Sequence, residues 1–175
     1  MSSGLYALKS VKHILPTQHM KSLYYTLINP YLNYGLIIWG SASKKYLQNI
    51  KSMQNKAIRT VTNSNYNDAV MPLFKSLKIT SLDVLYKIQL AKFMFQHSKN
   101  LLPSPLMSLY TLNVETHNHN TRHRFDPHIN TRRTQQFSKS FLHRGPDIWY
   151  NVPESFKSLQ TLNSFKKQIG KLFGY

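Results

Sequence analysis

The sequence predicts a mainly α protein: a helical bundle, a basic irregular arm and a docked C-terminal helix. Three observations carry that expectation. Apolar residues recur at three- and four-residue spacing in several separate stretches, as one face of a helix requires. From Val114 to Arg144 this period fades and polar residues dominate. After Gly145-Pro146 an apolar group, Ile148, Trp149, Val152 and Phe156, precedes a last periodic segment. The expected organisation is a bundle over 1–110, the arm over 111–145 and the docking segment with its helix over 146–175.

Taken in order, residues 5 to 15 alternate apolar and basic groups until Pro16-Thr17 mark a boundary, with Thr17 as the expected N-cap. The stretch Leu23 to Gly40 follows, with Leu23, Leu27, Ile28, Tyr31, Leu32, Leu36 and Trp39 on one helical face. It is expected to form the core, with Trp39 largely buried. Pro30 lacks a backbone donor and crowds the preceding turn, so the helix is expected to kink or restart near Asn29. Gly35 is expected to admit a close approach of another element. Thr26, Asn29 and Asn33 interrupt the run, which argues against a membrane span.

Ser41 or Ser43 caps a helix predicted over Lys44 to Val61, with Leu47, Ile50, Met53, Ala57, Ile58 and Val61 inward. Its remaining positions include Lys44, Lys45, Lys51, Lys56 and Arg59 and no acid. Asn63 to Asp68 reads as a turn, because Asn and Asp tolerate left-handed backbone and bond their own main chain. A short helix is predicted around Pro72-Leu73-Phe74. A long one then runs from Thr80-Ser81, with Asp83 in its first turn, through His97, apolar on most sides. Gly145-Pro146 is expected to be a turn. Thr161 is expected to cap the closing helix, with Leu162, Phe165, Ile169 and Leu172 on one face and Lys166, Lys167 and Lys171 pointing away.

Charge is the strongest global feature of the chain. Across 175 residues 23 Lys and Arg face six acids, a net charge of +17. So one-sided a surface is expected where the partner is a polyanion. Nucleic acid leads, and an anionic membrane surface or a merely solvated face are the alternatives. Five of the six arginines, Arg122, Arg124, Arg132, Arg133 and Arg144, lie in the arm. The planar guanidinium binds phosphate bidentately and stacks on bases, so Arg in the arm and Lys on the helices suit nucleic-acid contact.

The absence of cysteine removes disulfides, thiolate chemistry and Cys-ligated zinc together. The N-terminus has no apolar signal core, so an intracellular setting is expected. The acids, Asp68, Asp83, Glu115, Asp126, Asp147 and Glu154, stand far apart in sequence, which leaves no carboxylate cluster for two-metal phosphoryl transfer. Asp68 and Asp83 read as structural. No Ser/His/Asp set or phosphate-cradling Gly loop is evident. His117, His119, His123 and His128 bunch in the arm, but zinc sites usually include thiolates at rigid spacing, so no metal or other cofactor is expected.

Several words of the chain, in order, have a family resemblance. Tyr34-Gly35-Leu36-Ile37-Ile38-Trp39-Gly40, Gln54-Asn55-Lys56-Ala57-Ile58-Arg59, Pro72-Leu73-Phe74, Asn120-Thr121-Arg122 and Phe165-Lys166 are similar to words in the C-terminal region of jockey- and CR1-like non-LTR retrotransposon reverse transcriptases. That family more often has Asn directly after the Trp of Trp149-Tyr150-Asn151-Val152-Pro153, so only the docking role of that segment carries over. The resemblance implies the thumb and the segment after it, which hold the template–primer duplex of an RNA-directed DNA polymerase. The family's catalytic Ala-Asp-Asp word has no counterpart in this sequence. The chain is therefore expected to be a nucleic-acid-binding fragment or remnant of a transposable element that does not polymerise alone. The candidate contact residues are Lys44, Lys45, Lys51, Lys56, Arg59, Arg122, Arg124, Arg132 and Arg133. A helical protein-binding scaffold, or an inactive mobile-element remnant, is the rival.

Overall fold

The computed structural model describes residues 1–116, 123–131 and 134–174. Among these it is mainly α, with an isolated antiparallel bridge between Leu112 and Pro127 and no strand. Contacts divide the chain into two compact units between Leu85 and Tyr86, a different cut from the compositional one after residue 110.

The first unit contains α1 (Ser2–Val11), α2 (Thr17–Leu27), α3 (Asn29–Asn33), α4 (Leu36–Trp39), α5 (Lys44–Thr62), α6 (Val70–Leu77) and the first turn of α7 (Leu82–Ser98). The alternating apolar and basic residues at the start form α1, and its Gly4 explains how: a Cβ there would stand 2.7 Å from the Leu27 carbonyl oxygen. Only glycine lets the two backbones meet so closely. Pro16 occupies the N-cap and Thr17 is the first helical residue, so the helix starts one place earlier than expected. The restart at Pro30 is present, with α2 ending at Leu27 and α3 beginning at Asn29.

Two expectations for this stretch are corrected. Gly35 admits no neighbouring element; it adopts left-handed backbone at φ 60° and separates α3 from α4. That break turns Trp39 outward enough to leave it half-buried, its indole N–H donating to the Tyr34 carbonyl at 2.6 Å. The core is built instead by Leu8, Met20, Tyr24, Ile28, Leu32 and Leu36 against Ala57, Ile58 and Val61 of α5. Burying each large aliphatic side chain contributes about 1.5–3 kcal/mol.

α5 begins after Ser43 as predicted and ends where Asn63 turns left-handed at φ 52°. Asp68 closes the following turn by accepting from the Asn65 N–H at 2.7 Å. Gln54, 1% exposed, ties the unit together. Its amide donates to the Tyr24 hydroxyl (3.0 Å) and the Thr80 carbonyl (2.9 Å), and its oxygen accepts the Leu82 N–H (2.9 Å). That N–H has no partner within α7, so Gln54 acts as an N-terminal cap supplied from another helix.

The second unit contains the rest of α7 with α8 (Ser104–Met107), α9 (Asn113–Thr116), α10 (Gln135–Lys139), α11 (Phe141–Tyr150), α12 (Glu154–Lys157) and α13 (Leu162–Phe173). α7 is buried around most of its circumference: Tyr86, Ile88, Leu90, Ala91, Phe93, Met94, Phe95 and His97. Phe95 stacks on Phe165 of α13 with centroids 4.4 Å apart, and Trp149, 2% exposed, packs on the same Phe165. Gly145-Pro146, expected as a turn, lies inside α11 and is buried. A Cβ at Gly145 would come within 2.8 Å of both the Met94 sulfur and the Tyr110 hydroxyl, so glycine is needed for contact and not for a turn. Thr161 caps α13 as expected, accepting the Ser164 N–H at 3.2 Å. On that helix Phe165 and Ile169 are fully buried, whereas Leu172, expected on the same face, is exposed. The described parts of the arm carry α9, α10 and the start of α11.

Candidate nucleic-acid interface

α5 supplies the ordered part of the expected interface. At roughly 100° per residue Lys44, Arg59, Lys45 and Lys56 fall within about 120° of arc, shared with Gln48, Ser52 and Asn55. Lys44, Lys45 and Lys56 are exposed, and no acid belongs to this helix. The core residues occupy the opposite side, which is why an amphipathic period in a Lys-rich segment sorts its charge into one outward stripe.

Two residues of the set are engaged elsewhere. Lys51 lies at the edge of the stripe and pairs with Asp83 at 2.7 Å. The Asp83 side chain is 64% exposed, so this pair contributes little to stability and mainly offsets one cation. Arg59 is half-buried, with Nε and Nη2 donating to the Asp68 carbonyl at 3.3 and 3.1 Å and its guanidinium 5.6 Å from the Tyr66 ring. It fastens the turn after α5.

The second unit has its own cationic helix. α13 contains no acid, and Lys166, Lys167 and Lys171 are exposed. Lys92 of α7 is half-buried near Lys166; burial first, and then that neighbouring charge, hold its ammonium below the ordinary lysine range. Of the arm arginines, Arg124 is half-buried with its guanidinium 5.6 Å from the Phe125 ring, while Arg122, Arg132 and Arg133 lie outside the described residues, as do His117 and His119.

The acids look dispersed in sequence, but the fold brings two of them together. Asp126 accepts from Trp149 Nε1 at 3.0 Å, lies 2.7 Å from His123 Nδ1 and pairs with Lys157 at 3.1 Å. Lys157 also donates to Glu154 at 2.9 Å and stands 5.3 Å from the Trp149 ring centroid. His123, Asp126 and Glu154 could offer ligand atoms within 4.8 Å of one another. The cation these carboxylates hold is the Lys157 ammonium, whose side chain is 8% exposed. The arrangement is thus a polar lock between the arm and α11–α12, and carries no metal-site assignment.

Asn113 extends the lock. Its amide nitrogen donates to the His123 carbonyl (2.8 Å) and the Tyr150 hydroxyl (2.7 Å), and its oxygen lies 3.0 Å from His128 Nδ1, which must hold the proton there because the amide oxygen only accepts. His123 and His128 are therefore engaged with protein partners. Tyr150 has a place in this network through its hydroxyl. Nothing in the sequence marked Asp126 or Asn113, since their partners lie up to 37 residues away.

Among the described residues no helix is long and apolar enough to cross a membrane. Comparison with known protein families, curated proteins and solved structures finds no match to this chain.

Proposed function

We propose that the chain binds nucleic acid through its phosphate backbone, as the thumb-like C-terminal part of a non-LTR retrotransposon reverse transcriptase that cannot polymerise alone. The observation that carries this reading is the outward stripe of α5, where Lys44, Lys45 and Lys56 stand exposed beside Arg59 with no acid of the same helix among them. A polyanion neutralises that stripe and releases its own counterions, which is the usual driving force for backbone binding. The ordered words Gln54 to Arg59 support the same reading in part: Gln54 and Ala57 serve the core while Lys56 faces out.

The test is a titration of labelled duplex at several salt concentrations. Log affinity falls against log salt with a slope of about −0.9 per phosphate contact, and Lys44→Gln, Lys45→Gln and Lys56→Gln together lower that slope by up to about 3 units. Sequence preference stays flat, because phosphate contacts carry no base information. A slope untouched by the triple change refutes the assignment to α5.

A second reading, a helical protein-binding scaffold, rests on a different observation. Residues 22 to 43 contain no charged side chain, yet Tyr31, Tyr34 and Ile38 are 57%, 86% and 70% exposed. Exposed aromatics free of charge are the composition of a protein contact and not of a phosphate contact. Failure of all duplex binding with retained fold favours this reading.

A further inference from the structure

The second unit contains a pocket of about 410 Å³ beside the polar lock. Its walls come from the C-terminal end of α7 (His97 and Ser98), from Tyr110, and from Leu112, Glu115 and Phe125 around the Leu112–Pro127 bridge. The size falls within the range of small-ligand sites. The walls are held in place. His97 Nε2 lies 3.1 Å from the Met107 carbonyl, the Tyr110 hydroxyl donates to the Phe141 carbonyl at 3.0 Å, and the two rings meet edge to face at 5.2 Å.

Two features of this pocket bear on what it can take. Phe125 is 75% exposed at its wall, which leaves a large apolar ring facing water. Glu115, one of only six acids in the chain, also lines it, and among the described lining residues there is no lysine or arginine, although the Arg124 guanidinium stands 5.6 Å from the Phe125 ring centroid. An anionic group entering here would meet the carboxylate, so the pocket is unsuited to phosphate even though the chain is strongly cationic. It suits instead a flat, uncharged ring that stacks on Phe125 and donates a hydrogen bond to a carboxylate. Glu115 Oε2 already accepts the Leu112 N–H at 3.1 Å, which orients the carboxylate and leaves acceptor capacity for a ligand.

We infer that this pocket takes one unpaired nucleobase bearing an exocyclic amino group, with Phe125 as the stacking face and Glu115 as the hydrogen-bond acceptor. The inference rests on the nucleic-acid reading above and adds a second mode to it. Phosphates are held by basic helices, whereas a base from a single-stranded end or loop is held in the pocket. Stacking of this kind tolerates any base, and the carboxylate favours those with an amino group.

The test uses the full chain and fluorescently labelled oligo(dC), oligo(dT) and an abasic oligomer of the same length and phosphate count. Oligo(dC) binds more tightly than the abasic strand by on the order of 5- to 150-fold, the usual worth of one stacked base. Phe125→Ala removes that difference and Phe125→Trp keeps it, while duplex affinity is the same in all three proteins. Glu115→Ala closes the smaller gap between oligo(dC) and oligo(dT). Phe125 is exposed, so its replacement leaves the fold intact, and unchanged circular dichroism verifies this. Equal affinity for oligo(dC) and the abasic strand overturns the pocket assignment while the phosphate reading stands. Absence of binding to every strand and to duplex overturns both.

Discussion

Replacing Asp126 by Ala removes the acceptor shared by three donors: Trp149 Nε1 at 3.0 Å, His123 Nδ1 at 2.7 Å and Lys157 Nζ at 3.1 Å. A hydrogen bond from a neutral donor to a carboxylate is worth about 1.5–3 kcal/mol, and leaving the indole N–H of a residue only 2% exposed without a partner adds its desolvation. Breaking a buried ion pair from one side costs about 3–5 kcal/mol, but Lys157 keeps Glu154 at 2.9 Å, which places its share at the low end. These losses overlap, so the variant is expected to lose about 3–4 kcal/mol in the second unit. For a unit of this size that corresponds to a Tm lower by roughly 12–30 °C. The assay is urea unfolding followed by tryptophan fluorescence in a Trp39→Phe background, where Trp149 alone reports. The double variant Asp126→Ala, Lys157→Met removes the stranded cation as well and is expected to recover about 1–2 kcal/mol. A single-variant loss below about 1 kcal/mol, or a double variant less stable than the single, would refute the view of Asp126 as a lock.

Gln54→Leu preserves the volume but takes the amide away from the Leu82 N–H and the Thr80 carbonyl, and is expected to destabilise the first unit by about 2–4 kcal/mol in urea unfolding. A neutral result would mean that water replaces the amide. Lys92→Met is expected to stabilise the second unit by less than about 1 kcal/mol at neutral pH, because it removes a half-buried charge beside Lys166 that solvent partly screens. The sign with pH follows from the lowered pKa: the folded state releases this proton first, so the Lys92 contribution to stability becomes less unfavourable as pH climbs from its depressed value toward the ordinary lysine range. The advantage of the variant therefore shrinks at alkaline pH, and thermal melts across that range measure it.

Much of the helical content is legible in the sequence because helix formation and amphipathic sorting are local. The period of Leu47 to Val61 sets both the inward face of α5 and its outward lysine stripe. Thr161 and Ser43 mark helix starts within one turn of themselves, and Pro30 restarts a helix for a reason contained in its own ring. α1 is the exception, since its alternation of apolar and basic groups hides a helix whose defining residue, Gly4, is needed by the Leu27 backbone. The candidate site divides the same way. Which side of α5 faces outward follows from its sequence; that Lys51 meets Asp83 and Arg59 fastens the Asp68 turn does not.

By itself, then, the sequence determined the helical class, the lysine stripe of α5 and the strong positive charge, because each depends on residue type and short-range spacing. Tertiary structure decided which tryptophan is buried: a single left-handed residue, Gly35, breaks the helix ahead of Trp39, while Trp149 is enclosed by Phe165 and the Asp126 lock. It also decided that Asp126 and Glu154 share one lysine and that Phe125 and Glu115 line one pocket. Residues so far apart in sequence meet only where helices pack closely, as α11 does at Gly145 against Met94 and Tyr110, and no local period encodes that packing.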